Sequence, residues 1–202
     1  SDSNPVVSLN EFTYRKGMEI YGEKEPADYV YRVKSGAVRS YKLLSDGRRQ
    51  IGAFHLLGDI FGLESGGEHQ FTTEAIVDTT VRLIKRHSLD SLAANDALVA
   101  RNLLSMTMDN LRHAENQLLL GRKTSQERVA AFLLEMDKRL TAAGVMVLPM
   151  SRRDIADYLG LTLETVSRVL SRLHELGILG FVGHNQRQIA LLDRRQLAGL
   201  DR

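Results

Sequence analysis

The sequence predicts an α+β protein: an N-terminal domain of short strands, then a long helix, then a C-terminal helix-turn-helix with a following hairpin. Three observations predict it. The first ninety residues alternate β-rich runs with turn signals, an unbroken helical pattern follows, and SRRDIADYLGLTLETVSRVLSRLHELG then holds two short capped helices around a glycine. A chain of 202 residues with 43% hydrophobic content can bury two modest cores.

The strand runs are YVYRV, GAVRSYKLL, RRQIGAFHL, FTTEAIV and TTVRLIK. Ser45-Asp46-Gly47 is a hairpin signal, and Gly58-Asp59 and Ser65-Gly66-Gly67 mark further corners. Many short strands at regular intervals suit a sandwich, a jelly roll or a β-roll. The texture changes near Ser88, and from about Asp96 to Gly121 the pattern is helical, without proline or internal glycine. Leu104, Met108, Leu111 and Leu118 form one apolar face. Val99, Leu103, Met106, His113 and Leu120, interrupted by Asn110 and Gln117, form a second at heptad spacing. One face is expected to cover the β domain. The other, made of Val99, Leu103, Met106, Asn110, His113, Gln117 and Leu120, is expected to meet a second copy of the chain, although a helix apolar on two sides also suits burial inside a monomer.

TSQERVAAFLLEMDKRL reads as a helix capped by Thr124 or Ser125, with Val129, Phe132, Leu133 and Met136 as its core stripe. TAAGVMVLPM reads as a loop and short strand, and GILGFVGHNQRQIALLD as a hairpin turning at Gly183-His184-Asn185. The expected domains are residues 1–92, a connecting helix at 93–121, and 122–202.

Charge sharpens the division. Residues 1–122 carry 15 Lys and Arg against 16 Asp and Glu, whereas residues 123–202 carry 12 against 9. The positive excess lies beside the helix-turn-helix, a mild footprint for a polyanion. Within that motif Ser151 and Asp154 are spaced as a cap, Thr162 can cap the second helix, Ala156 is small where the helices cross, and Gly160 serves the tight turn. Val166 and Val169 should face Ile155 and Leu159, leaving Glu164, Ser167 and Arg168 outward.

Laid in a major groove, these three reach base edges: arginine can donate twice to guanine, glutamate can accept from cytosine, and serine can meet thymine or a phosphate. Arg152, Arg153, Thr162, Thr165, Ser171 and Arg172 are placed for phosphates. Taken singly, each has a plainer reading: Glu164 complements a helix dipole, and Arg168 and Arg172 pair with Glu164 and Glu175. The joint arrangement favours DNA. Ser151 is an ordinary cap, yet a thiol in its place would sit at a helix N-terminus beside two cations, so it is also a candidate redox position.

Other classes are thin. Without cysteine there is no disulfide, thiolate nucleophile or cysteine-bound cluster. No phosphate-binding glycine loop, H-E-x-x-H or G-x-S-x-G motif is present, the six histidines are scattered, and GGEHQ is better read as a turn; neither an enzyme nor a metal site is expected. No apolar run approaches the roughly 20 residues that span a bilayer, and SDSNPVVSLN is not a signal peptide, so a cytoplasmic protein away from membranes is expected.

SRRDIADYLGLTLETVSRVL, with its E-x-x-S-R pattern, resembles the DNA-binding motif of the Crp/Fnr superfamily of bacterial transcription regulators, in its FixK-type branch. RKTSQERVAAFLLEMDKRL and GDIFGLESGG resemble family segments as well. The resemblance implies an N-terminal β-roll (a double-stranded β-helix, jelly-roll-like), a dimerisation helix and a winged helix-turn-helix. It also implies a homodimeric activator that partners RNA polymerase, reads TTGAT, four base pairs, ATCAA through Glu164, Ser167 and Arg168, and controls oxygen-limited or nitrogen-fixation genes. Family members that bind cyclic nucleotides place an arginine where this chain has EHQFTTEAIV, which has none. The expectation is therefore an activator without cofactor. The alternative is a β-roll regulator responding to an unidentified small molecule or to haem, for which His55, His69 and His87 are the available histidines.

Overall fold

The structure, a computed structural model, describes residues 10–64, 67–183 and 186–201, apart from the side chains of Asn116, Gln117 and Leu120. Four sequence expectations therefore lie outside the described residues: the N-terminal segment, the Ser65-Gly66 corner, the His184-Asn185 turn, and the Gln117 and Leu120 side chains of the proposed dimer face. The chain divides into two units, residues 1–114 and 115–202.

The first unit holds two four-stranded antiparallel sheets. One runs β1 (Asn10–Tyr14), β8 (Thr79–Lys85), β3 (Tyr29–Ser35), β6 (Ile60–Phe61). The other runs β2 (Glu19–Tyr21), β7 (Thr72–Ala75), β4 (Val38–Leu43), β5 (Arg49–His55). Period-two alternation turns one set of side chains inward, and Tyr21, Tyr31, Val33, Val38, Phe61 and Val81 form a buried cluster. Each such side chain contributes roughly 1.5–3 kcal/mol on burial. At Gly36, φ is +86° and any Cβ would lie 2.4 Å from Thr79 Oγ1, so the β3–β4 turn needs glycine twice over. The buried Thr79 hydroxyl accepts from the Ala37 amide at 3.1 Å and donates to the Val77 carbonyl at 2.7 Å, which ties that turn to β8.

Among the described residues six elements add to the expected ones. β1 and β2 precede the first recognised strand, the two-residue β6 and β9 (Thr141–Ala142) lie in stretches read as turn or loop, α1 (Arg86–Asn95) follows β8, and α6 (Arg194–Leu200) follows the C-terminal hairpin. α1 buries no residue, so it presents little apolar periodicity to detect.

α2 (Ala97–Leu120) matches the expected long helix, but its packing differs from expectation. None of its described side chains is buried, and it makes no extended contact with another element. The stripe expected to cover the β domain is open: Leu104, Met108, Leu111 and Leu118 are 61%, 56%, 59% and 81% exposed. Val99, Leu103, Met106 and His113 are half-buried, and Asn110 is exposed.

The second unit is built on α3 (Ser125–Leu140), α4 (Arg152–Leu159) and α5 (Leu163–Glu175), with the four-stranded sheet β11 (Leu179–Val182), β12 (Gln188–Leu191), β10 (Val145–Val147), β9 (Thr141–Ala142). Val129, Phe132, Leu133 and Met136 of α3 are buried as the stripe predicts, and the Phe132 ring meets Tyr158 edge-on at 5.9 Å. Thr124 and Glu127 complete a capping box at the start of α3. α6, capped by Asp193, returns to α3 through the fully buried Leu197, while Arg194 holds Asp137 at 2.7 and 2.9 Å.

Candidate nucleic-acid interface

The two helices of the motif begin on their own sequence. The Ser151 hydroxyl accepts from the Asp154 amide at 3.1 Å and donates to the Asp154 carboxylate at 2.7 Å, which also accepts from the Ser151 amide at 3.0 Å. Asp154 is buried in this reciprocal cap. Thr162 starts α5 in the same way, its oxygen accepting from the Thr165 amide at 3.1 Å. Between them Gly160 takes φ +63°, and the amides of Gly160 and Leu161 both turn back onto the Ala156 carbonyl. A side chain in that left-handed conformation would cost about 1 kcal/mol or more.

Val166, Leu170 and Leu173 are buried on one side of α5, with Leu163 and Val169 at its margins. Glu164, Ser167, Arg168, Ser171 and Arg172 follow at the spacing of the opposite face. Burial of the first set holds the second in a fixed array. Among the described residues, the side chains of Glu164, Ser167, Ser171 and Arg153 have no hydrogen bond or ion pair within the chain. Among the described residues Arg168 reaches only the Thr165 hydroxyl, at 3.3 Å, and does not pair with Glu164. Arg172 does meet Glu175, at 3.5 Å, with both side chains about two-thirds exposed, so the pair is weak. The outer face of α5 thus presents donors and acceptors whose hydrogen bonds go to water and can be exchanged for base edges and phosphates.

Two neighbouring arginines behave differently. Arg153 is exposed, whereas Arg152 is half-buried, donates to Gln186 Oε1 at 2.5 Å, and sits 5.6 Å from the centre of the Phe181 ring. Ser151 is fully engaged as a cap. The Asp154 carboxylate beside it would disfavour a thiolate there, against the two cations that would favour one.

Sequence reasoning missed Arg128. Its guanidinium donates to the carbonyls of Lys123 (3.0 Å), Leu159 (2.9 Å) and Gly121 (3.2 Å), tying the connector after α2 to the turn of the motif. An arginine inside a helical stripe gives no one-dimensional sign of this; its acceptors are backbone groups brought together by folding.

In the β unit the interior is filled by rings. His69, 1% exposed, stacks on Tyr21 at 3.4 Å and places Nδ1 3.2 Å from Glu64 Oε2. His55 stacks on Phe61 at 4.8 Å and shares a 2.7 Å hydrogen bond between Nε2 and the Ser40 hydroxyl. Burial first, and then the Glu64 carboxylate, push the Tyr21 phenol well above its ordinary pKa, so it remains neutral. A cyclic nucleotide brings an anionic phosphate that needs a cation. The segment between β6 and β7 instead turns a carboxylate and a packed histidine inward, and these residues do not fit that group. Of the three histidines considered for haem, His55 and His69 are engaged in packing and hydrogen bonds, and His87 lies exposed on α1. Among the described residues no group of three or more His, Cys, Asp or Glu could hold a metal ion, and no helix is long and apolar enough to cross a membrane.

Comparison with known proteins agrees with both units. Residues 11–96 match the cyclic nucleotide-binding domain family and residues 127–200 the Crp-like helix-turn-helix domain family. The nitrogen fixation regulation protein FixK of Rhizobium meliloti is 45% identical over 168 residues, 83% of this chain and 76% of the relative. FixK of Azorhizobium caulinodans is 43% identical over 194 residues, 93% of this chain and 77% of the relative. The solved structure of FixK2 from Bradyrhizobium japonicum superposes with a TM-score of 0.92 at 67% identity, covering 96% of this chain and 98% of that one.

Proposed function

Because the chain belongs to the Crp/Fnr family of transcription regulators, alongside FixK proteins, we propose that it acts as a homodimeric activator reading TTGAT, four base pairs, ATCAA. The observation that carries this reading is the outer face of α5, where Glu164, Ser167 and Arg168 stand on a buried apolar stripe with their polar groups uncommitted to strong partners. Arg168 is assigned to guanine, Glu164 to the cytosine opposite, and Ser167 to thymine. Arg153, Thr162, Thr165, Ser171 and Arg172 take flanking phosphates, and Arg152 lies at the same edge.

Dimerisation is assigned to α2 through Val99, Leu103, Met106, Asn110, His113, Gln117 and Leu120. The support is physical: no described side chain of this 24-residue helix is buried, and Val99, Leu103, Met106 and His113 are only half-buried, which leaves apolar surface on this face that a second copy can cover. Two copies of α5 about 34 Å apart would then meet successive major grooves. RNA polymerase is the assigned partner, the cytoplasm the assigned compartment, and oxygen-limited or nitrogen-fixation genes the assigned targets, nitrogen fixation following the names of the FixK relatives. Activity is assigned to the protein without small-molecule cofactor, which the ring-filled interior of the β unit supports. The Ser151 position is assigned to capping rather than to redox chemistry.

The test is fluorescence anisotropy with the palindrome and with a scrambled duplex at matched salt. Preference for the palindrome by on the order of a thousandfold is expected for a specific regulator; equal affinities overturn the reading. Sedimentation of the free protein reports the dimer. In vitro transcription with purified, ligand-free protein checks the cofactor-free assignment, which fails if added haem or nucleotide is required.

A further inference from the structure

One ring and one guanidinium link the hairpin β11–β12 to both helices of the motif. Arg152, the first residue of α4, donates to Gln186 at 2.5 Å and lies over Phe181 at 5.6 Å. His174, near the end of α5, meets the same Phe181 ring at 5.2 Å, and its Nδ1 is 3.1 Å from the Leu179 carbonyl oxygen. Gln186 holds φ +51°, an uncommon conformation for a residue other than glycine, and from there its side chain reaches Arg152.

Beside these contacts lies a half-open groove of about 250 Å³, lined by Leu148, Ile155, Leu170 and Ile189 together with Arg152 and Gln186. The four apolar side chains are themselves buried, so the guanidinium and the amide supply the polar part of this edge. Burial draws the Arg152 pKa below the ordinary arginine value, as expected for a cation partly withdrawn from water, while adjacent Arg153 faces solvent.

We propose that Arg152 is a positioning residue for the hairpin, latching it to the helix-turn-helix so that α5 and the hairpin meet DNA as one preorganised body. The proposal rests on the DNA-binding reading above and differs from a phosphate contact in what it demands of residue 152. A phosphate contact requires a positive charge. A latch requires a planar donor that can both stack and hydrogen-bond, which lysine does not supply. The gain for binding is lower ordering cost when two elements dock together.

The 202-residue chain is tested as Arg152→Lys, Phe181→Leu and their double variant, with thermal unfolding checked for each. Amide hydrogen exchange is measured first, without DNA: Arg152→Lys should speed exchange across residues 179–182 and 188–191 relative to α3, and unchanged exchange overturns the latch. On palindromic DNA, Arg152→Lys should weaken binding about five- to tenfold, the effect of ordering one or two interface side chains. The slope of log affinity against log salt should stay the same because the charge is kept. Phe181→Leu, which removes no charge, should match it, and the double variant should add little. Hydroxyl-radical protection should fade at the outer flank of each half-site while the centre stays protected. Wild-type affinity for Arg152→Lys, with a salt slope lowered by about one in Arg152→Ala, would make Arg152 a phosphate contact instead. If wild-type protein itself fails to prefer the palindrome, the DNA reading fails, and the exchange result alone decides the latch.

Discussion

The interior of the β unit and the outer face of α5 both hold polar side chains on well-packed supports, yet they use them oppositely. Inside the β unit, His69 meets Glu64, His55 meets Ser40, and Arg39 meets Glu74 at 2.7 Å. On α5, Glu164 and Ser167 have no partner within the chain among the described residues, and Arg168 has one long contact. A buried polar group must be satisfied internally or it costs about 1–3 kcal/mol, so its hydrogen bonds belong to the fold. An exposed group held rigidly bears no such cost and remains available to a ligand. The difference separates residues that build this protein from residues through which it acts.

The largest effect is expected of His69→Ala, which removes a fully buried ring stacked on Tyr21. A stability loss of about 3 kcal/mol is expected in chemical denaturation, with palindrome affinity unchanged where the protein remains folded. If affinity shifts while stability holds, the interior of the β unit is a control site rather than a packed core.

Arg168→Ala probes the other side. It should leave thermal unfolding nearly unchanged, cost roughly 2 kcal/mol on the palindrome, and relax the preference at guanine. Equal losses on palindromic and random DNA would remove Arg168 from base reading. Ser151→Ala is expected to cost about 1 kcal/mol of stability through loss of the α4 cap, and Ser151→Asn to recover most of it. Failure of that rescue would give Ser151 a role beyond capping.

The smallest effect is pH-dependent. The hydrogen bond from Arg194, with a further one from Thr141, holds the Asp137 carboxyl below its ordinary pKa. A depressed carboxyl contributes stability above the unfolded pKa of about 3.9 and loses it as pH falls through the folded value. Asp137→Asn should therefore lower the denaturation midpoint at pH 7 by less than Ser151→Ala does, and the gap to wild type should close below about pH 4. A gap that persists in acid would mean that Asp137 acts through packing rather than charge.

Much of the C-terminal unit was legible because its signals are local. Caps at Ser151 and Thr162, the turn at Gly160 and the apolar stripe of α5 each need only a few consecutive residues; the structure places the caps and the turn as read, and the stripe too except that Val169 lies at its half-buried margin. The strands between Tyr29 and Lys85, apart from the two-residue β6, were legible by alternation and turn residues; β1, β2 and α1 were not, since β1 and α1 bury no residue and the three residues of β2 bury only Tyr21, too little to leave a period. α6 was missed although Asp193 caps it, because its seven residues carry a single buried leucine.

The sequence by itself determined that the chain has a strand-rich half and a helical half, and it placed Glu164, Ser167 and Arg168 together on one helix face. Periodicity and capping are properties of neighbours along the chain. Only the tertiary structure decided that Arg152 leaves solvent for Gln186 and Phe181 while Arg153 stays in it, that Arg128 gathers three carbonyls, and that no described side chain of α2 is buried within its own chain. Those outcomes depend on partners distant in sequence, whose distances are set when the elements pack.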